Sequence, residues 1–492
     1  MRHPLRHAAL GLFALGLIVV SVFLLERERA GLEIRPVPLG PTPVTLYQQP
    51  GATGPAVVIA HGFAGSRQIM QGYSFRLAQA GYRVLAFDFE GQGRNPVPMR
   101  GDVTKIEGTT VYLMAETRRV IAAARALPGA PEVALLGHSM ATDIIIRAAK
   151  EEAEAGTPVA AVVAISSFSE AITPDFPPRL EIISGEWEGM LRGFARKAAA
   201  QVVPEAQEGT LVAADGVERQ TVVAPHVGHV GVLYSPAAIT AARAWFDRAF
   251  GRESTAPVDR MGVWLVTLFA GIVVLARPLI ALLKKGPGFV PLPRRRFLIA
   301  TLAPALVTPL ALAALRVNPL GVTAVFYLTI HLALYGGLQL ALLRGAGLKR
   351  LHGKAVAFFL IWGLGVFGFA MDRYFINFWP SPERAGLIAL MLCGTLPFML
   401  ADAALTEAGN AAFWRRALAR LAALASLAGA VALGDQDRLF VVMAIPVLLA
   451  FWLGQGLIGR WLARRTGASA AGLGLGLALA WVMGVTLPLL AA

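Results

Sequence analysis

Gly137-His138-Ser139-Met140-Ala141 is a stretch whose residue types and spacing suit covalent catalysis. A serine hydroxyl becomes a useful nucleophile when an imidazole takes its proton. Small residues on either side let a strand turn sharply into a helix, which pushes the hydroxyl outward. Ala141 stands where the G-x-S-x-G pattern has its last glycine, and it is still small. The apolar run 132–136 leads into the motif and a helical stretch follows it, so strand, turn and helix come in the required order. The lone cysteine, Cys393, excludes an internal disulfide and any cysteine-based metal cluster. No H-E-x-x-H or similar metal spacing occurs, and the residues require no cofactor.

The serine needs a scaffold, and the segment around it has the pattern of one. Apolar runs at 56–60, 82–87, 132–136, 159–165, 180–184 and 220–224 alternate with helical stretches at 68–80, 108–127 and 237–250. Continuous apolar runs separated by helices predict a mostly parallel sheet covered by helices on both faces, an α/β fold. Residues 209–224 read as a hairpin turning at Asp215-Gly216.

Over residues 40–250 this segment resembles the α/β-hydrolase family, in its serine hydrolase and esterase-like members. Beyond the elbow, His61-Gly62-Phe63-Ala64-Gly65 follows a strand as the family's H-G loop does. Asp88-Phe89-Glu90-Gly91-Gln92-Gly93 matches its D-x-x-G-x-G turn. The acid and the base follow the serine in the family's order. The resemblance implies that the backbone N–H groups of Phe63 and Met140 form an oxyanion hole. It implies Glu188 as the acid, because Glu188 holds the last position of a G-x-x-D-like stretch after strand 180–184; Glu186 is the alternative. It implies His229, in Gly228-His229 before the final helix, as the base, with His226 on the rim. His61 and His138 read as structural, and Asp88 as a brace for its turn. The family's lid insertion is reduced to about fourteen residues after 165, which predicts an open site covered by the membrane or the C-terminal half.

The rest of the chain is apolar. Of 492 residues, 56% are hydrophobic and 15% charged, against about 25% charged in soluble domains. This excludes both a wholly soluble and a disordered protein. Residues 8–25 form an uncharged run that reads as an uncleaved signal anchor, the alternative being a cleaved signal. Domains are expected at 1–25 (anchor), 26–255 (α/β) and 256–492, an all-α membrane domain of about eight helices. The spans are placed near 261–283, 297–315, 320–343, 355–371, 385–401, 417–434, 439–459 and 471–492, giving nine crossings in all. The weakest is 417–434, where Arg420 must snorkel to the interface.

Basic residues crowd alternate loops: Lys284, Lys285 and Arg294–Arg296, then Arg344, Lys349, Arg350 and Lys354, then Arg415 and Arg416, then Arg460, Arg464 and Arg465. The intervening loops hold only Arg316, then a balanced Asp372, Arg373, Glu383 and Arg384, then Asp435, Asp437 and Arg438. By the positive-inside rule the N-terminus is inside, and residues 26–260 and the C-terminus are outside. In a bacterium this means a multi-pass inner-membrane protein with a periplasmic catalytic domain. The net charge of +14 is therefore a topology signal, and no nucleic-acid partner is expected.

Gly363–Gly368 matches G-x-G-x-x-G inside an apolar helix with no preceding strand, which excludes dinucleotide binding. Gly472, Gly474 and Gly476 read as a face for close helix packing, and His331 as an ionisable group in mid-span. The expected function is a membrane-integrated serine hydrolase cleaving an ester or related acyl bond of a lipid-like substrate. The alternatives are a transporter or scaffold with a non-catalytic hydrolase-like domain, or an acyltransferase or peptidase using the same triad. The expected partners are that substrate and the bilayer, with homo-oligomerisation through the membrane helices open.

Overall fold

The computed structural model describes residues 2–491 apart from 103–104, 130, 257–259, 287, 290, 315–322, 346, 349–350 and 434–443. Arg316, Lys349, Arg350, Asp435, Asp437 and Arg438, used above for topology, lie outside the described residues.

The apolar runs become the centre of a nine-stranded sheet. Strands β3 (Ala56–Ala60), β4 (Arg83–Phe87), β5 (Val133–His138) and β6 (Val162–Ile165) are buried along their whole length. Such strands need cover on both faces. Helices α3 (Val111–Arg125) and α4 (Met140–Glu154) supply it on one side, packing Ile121, Ile144 and Ile145 against Val58 and Leu135. Helices α2 (Gln71–Gln79) and α6 (Pro236–Ala249) cover the other with Tyr73, Ile239 and Phe246.

The strand order is β1-β2-β4-β3-β5-β6-β7-β9-β8, with β1 at Glu33–Val37, β2 at Val44–Gln48, β7 at Arg179–Gly185, β8 at Leu211–Ala214 and β9 at Val217–Ala224. Strands β4, β3, β5, β6, β7 and β9 run parallel, and β8 closes one edge as the hairpin partner of β9. Asp215 and Gly216 both take positive φ, 49° and 81°, as the tight two-residue hairpin turn requires.

Three elements extend the sequence reading. Strands β1 (Glu33–Val37) and β2 (Val44–Gln48) add an antiparallel edge. Pro36 and the charges of β1 hide it as a strand in the sequence, but an outermost strand tolerates both. Helix α5 (Gly189–Ala200) follows β7.

Seven helices are long and apolar enough to cross a membrane, from Leu5–Arg27 to Ala468–Thr486. Ala444–Leu453 and Gln455–Thr466, bent by 48°, make an eighth if they act as one span. The expected nine is not reached on this measure among the described residues. Phe413–Ala432 is a helix, but Arg415, Arg416 and Arg420 put too much charge in it. It nonetheless runs alongside Arg294–Ala313, with Trp414 against Phe297 and Gly429 against Pro309, and Arg420 lies over the Trp452 ring.

The helix ends sort into two groups. One group meets the α/β domain: Asp372 pairs with Arg94 at 2.6 Å, and the N–H groups of Leu489 and Ala491 donate to the carbonyls of Gly91 and Met99, each at 2.8 Å. The other group is tied together far from that domain. Arg465 donates to the Leu283 carbonyl at 2.7 Å, Arg296 to that of Leu343 at 2.5 Å, and Arg415 pairs with Glu407 at 2.7 Å.

Within the bundle, Gly363 lies in a π-helical turn and Gln455 donates to its carbonyl at 2.9 Å, so the G-x-G-x-x-G run is a packing site. His331 is buried with its ring stacked on Tyr335, and neither ring nitrogen has a hydrogen-bond partner. Gly472 and Gly476 do pack closely. A Cβ at Gly472 would sit 2.8 Å from the Leu400 Cα, and one at Gly476 3.0 Å from the Leu396 Cα. Because backbone faces each position, Gly472→Val is expected to cost about 2 kcal/mol, read as a lower Tm of the detergent-solubilised protein.

Candidate active site

Ser139 sits between β5 and α4 with φ 55° and ψ −121°. A side chain rarely adopts this backbone conformation, and it persists only where the surroundings enforce it. Here the Ser139 N–H donates to the Ile165 carbonyl at 2.8 Å, tying the turn to the end of β6. A Cβ on Gly137 would lie 2.8 Å from Ile145 Cδ1 and 3.0 Å from the Ala141 carbonyl oxygen. A Cβ on Gly62 would lie 3.1 Å from the Ser139 Cβ. Small residues are therefore required on both sides of the serine and in the loop that passes beside it.

The loop after β9 brings His229 to the serine. With the proton on Nδ1, His229 donates to Glu188 Oε1 at 2.6 Å, and its Nε2 accepts from Ser139 Oγ at 2.9 Å. Glu188 Oε2 accepts from the Gly185 N–H at 2.6 Å and from Ser166 Oγ at 2.8 Å. Burial raises the Glu188 pKa, but the hydrogen bonds from His229, Gly185 and Ser166 outweigh it and hold the carboxylate below its ordinary value.

The rival pair lies apart from the serine. Glu186 accepts from the His226 N–H at 2.6 Å and stands 3.2 Å from its Nδ1, with His226 turned to solvent. Both glutamates thus bind a histidine of the same loop, and Glu188 is the one joined to His229.

Phe63 follows Gly62 in a tight turn, closed by Gly65 N–H to the Gly62 carbonyl at 3.1 Å, with Ala64 at φ 55°. His61 anchors this turn. Its Nδ1–H donates to the Gly62 carbonyl at 2.7 Å and its Nε2 accepts from the Phe89 N–H at 3.2 Å. Met140 begins α4, and the first N–H groups of a helix have no partner within it. The turn carrying Phe63 and the start of α4 therefore flank Ser139 on two sides.

Residues 55–229 match the family model of the alpha/beta hydrolase fold. No curated protein matches the sequence. Among solved structures, a protein described as a predicted CIB-like hydrolase from Thermoplasma acidophilum is 13% identical, with TM-score 0.35, over 44% of this chain and 98% of its own. A hormone-sensitive lipase from a metagenome library is 16% identical, with TM-score 0.34, over 45% and 85%. EstE5, solved after soaking with p-nitrophenyl butyrate, is 15% identical, with TM-score 0.33, over 45% and 85%. Among the described residues no group of three or more His, Cys, Asp or Glu side chains could hold a metal ion.

Several supports of the α/β domain were not read from the sequence. Ser166, itself at φ 53°, holds Glu188; its place at the end of β6 is the only signal that could have marked it. Glu116 braces the turn after β4. It accepts from Thr42 Oγ1 at 2.6 Å, Asn95 Nδ2 at 2.9 Å and the Glu90 N–H at 2.8 Å. Burial pushes its pKa up to about 7. Asp88 binds the Arg67 guanidinium and accepts from the Arg67 and Arg94 N–H groups at 2.7 and 2.9 Å, the bracing role expected of it. Phe168, Trp187 and Met190, 59%, 72% and 83% exposed, give the surroundings of the site an apolar surface.

His138 joins the two halves of the site, donating from Nε2 to the His229 carbonyl at 2.9 Å. Burial, reinforced by the neighbouring His229, lowers its pKa to about 3. Between pH 6.5 and about 3 the unfolded chain binds a proton here that the folded chain refuses, so stability falls as pH falls through that window. His138→Gln keeps an N–H for the carbonyl and removes the titration. Its Tm is expected to fall less steeply than that of the unaltered protein between pH 6.5 and pH 4 in detergent melts.

Proposed function

We propose that this protein is a membrane-integrated serine hydrolase that cleaves an ester or related acyl bond, with Ser139 as nucleophile, His229 as base and Glu188 as acid. The observation that carries the reading is the continuous relay from Ser139 Oγ through His229 to Glu188, at 2.9 and 2.6 Å. Ser139 Oγ attacks the acyl carbon while His229 Nε2 takes its proton. Glu188 holds the imidazole in the tautomer that can accept, and stabilises the imidazolium that forms. The negative charge on the former carbonyl oxygen is met by the N–H groups of Phe63 and Met140, each such donor lowering the barrier by about 3 kcal/mol. His229 then returns the proton to the leaving group, and a water activated by the same imidazole releases the acyl chain.

The exposed Phe168, Trp187 and Met190 favour an apolar acyl portion. The apolar helices on the same chain make a lipid-like substrate the natural supply. The alternating basic loops support an inner-membrane location with the hydrolase domain in the periplasm. An acyltransferase or peptidase would use the same residues with another acceptor or leaving group.

A fluorophosphonate probe tests the chemistry. Labelling of the full-length protein, lost in Ser139→Ala, is expected; no labelling of the unaltered protein would leave a binding domain fused to a transporter or scaffold. With a hydrolysable ester, Glu188→Gln is expected to lower kcat by roughly 10³–10⁴-fold, while Glu186→Gln stays near the unaltered rate. The reverse pattern would transfer the acid role to Glu186. Orientation has its own assay: alkaline phosphatase fused after residue 255 is expected to be active in a bacterial host, and an inactive fusion would place the domain inside.

A further inference from the structure

We propose that Asn377, a residue of the helical domain, is a positioning residue for the oxyanion side of the active site. The inference rests on the serine hydrolase reading above and adds a device to it. Asn377 is buried just beyond helix Phe367–Tyr374 and binds two loops of the hydrolase domain at once. Its backbone N–H donates to Ser66 Oγ at 3.0 Å. Its side chain donates from Nδ2 to the Gly93 carbonyl at 3.2 Å and accepts at Oδ1 from Arg94 Nε at 3.0 Å.

Ser66 closes the loop that carries Phe63, and it is fully buried. Gly93 and Arg94 belong to the turn after β4. That turn is linked to the first loop through Asp88, which accepts from both the Arg67 and the Arg94 backbone N–H. Asp372 completes the arrangement from the helical side, accepting from Arg94 Nη2 at 2.6 Å and from the Phe378 N–H at 3.0 Å. The turn at 62–65 contains a residue at positive φ, Ala64, and its backbone must be held at both ends. His61 holds the first end from within the hydrolase domain. At the other end the helical domain reaches Ser66 through Asn377. A small displacement of a transition-state donor costs rate and leaves ground-state binding largely unchanged.

A neighbouring ion pair of the same helix provides the comparison. Arg373 pairs at 2.8 Å with Glu26, at the end of the helix Arg2–Arg27. In the full-length protein, Asn377→Ala and Ser66→Ala are each expected to lower kcat about tenfold with KM within about twofold. The Ki of a trifluoromethyl ketone, which forms a tetrahedral adduct on serine, is expected to rise by the same factor as kcat falls. Arg373→Ala is expected to leave kcat unchanged. Ser66→Ala removes the acceptor of the Asn377 backbone N–H, and Asn377→Ala removes the side-chain bonds to Gly93 and Arg94, so each variant tests a different tie to the helical domain and one remains informative if the other fails to fold.

Unchanged kcat in the folded variants overturns the inference. So does a change confined to KM, or an equal loss in Arg373→Ala, which would make Asn377 one bond among many at a joint. These outcomes leave Ser139-dependent labelling intact. Loss of that labelling in the unaltered protein overturns the serine hydrolase reading, and this inference with it.

Discussion

The turn at Ser139 places a non-glycine residue at φ 55°, and much of the surrounding architecture is arranged to keep it there. Gly137 and Ala141 leave room within the turn, and Gly62 leaves room beside it. The Ile165 carbonyl captures the serine N–H, and His138 ties the turn to the loop of His229. These contacts come from four separate strand ends, all at the carboxyl end of the parallel strands. A sheet whose strands are buried on both faces is rigid enough to hold such a conformation. An isolated hairpin would relax it.

The carboxylate side follows the same logic. Glu188 is buried and stays ionised because three donors converge on it. Two of them, Ser166 and the Gly185 N–H, come from the ends of β6 and β7, the next two strands beyond the serine's own. Residue 188 is thereby fixed relative to residue 139 by backbone, with side-chain freedom contributing little. Glu186, two residues earlier, points to the other side of the loop and meets His226 instead.

Much of this was legible in the sequence, for identifiable reasons. Buried parallel strands produce continuous apolar runs, and the turns that follow them need glycine at fixed offsets. Six strands, the hairpin at Asp215-Gly216 and the surroundings of Ser139 could be read on that basis. The choice between Glu186 and Glu188 rested on spacing alone, because two carboxylates separated by one residue differ only in where the loop turns. Ser166 was not legible, since a serine at a strand end has no pattern of its own. Strand β1 was hidden by Pro36. The span expected at 417–434 falls mostly in the helix Phe413–Ala432, whose arginines dilute its hydropathy, and the stacking of Arg420 on Trp452 shows where one of those charges goes. The bonds from Asn377 join residues nearly 300 positions apart, a separation that no local pattern encodes.

Residues 487–491 extend this dependence in time. Leu489 and Ala491 pair with Gly91 and Met99, and Arg384 donates to the Gly91 carbonyl at 2.7 Å as well. The loop at 91–99 thus receives some of its hydrogen-bond partners from residues made after the helix Ala468–Thr486. Domains emerging early in synthesis usually fold as units before the rest appears. This one can form its sheet early, but the loop beside its site stays incomplete until the bundle has assembled and delivered the final strand-like segment. Completion of this loop is in this way coupled to assembly of the helical bundle, and a chain that stalls partway leaves its α/β domain unfinished.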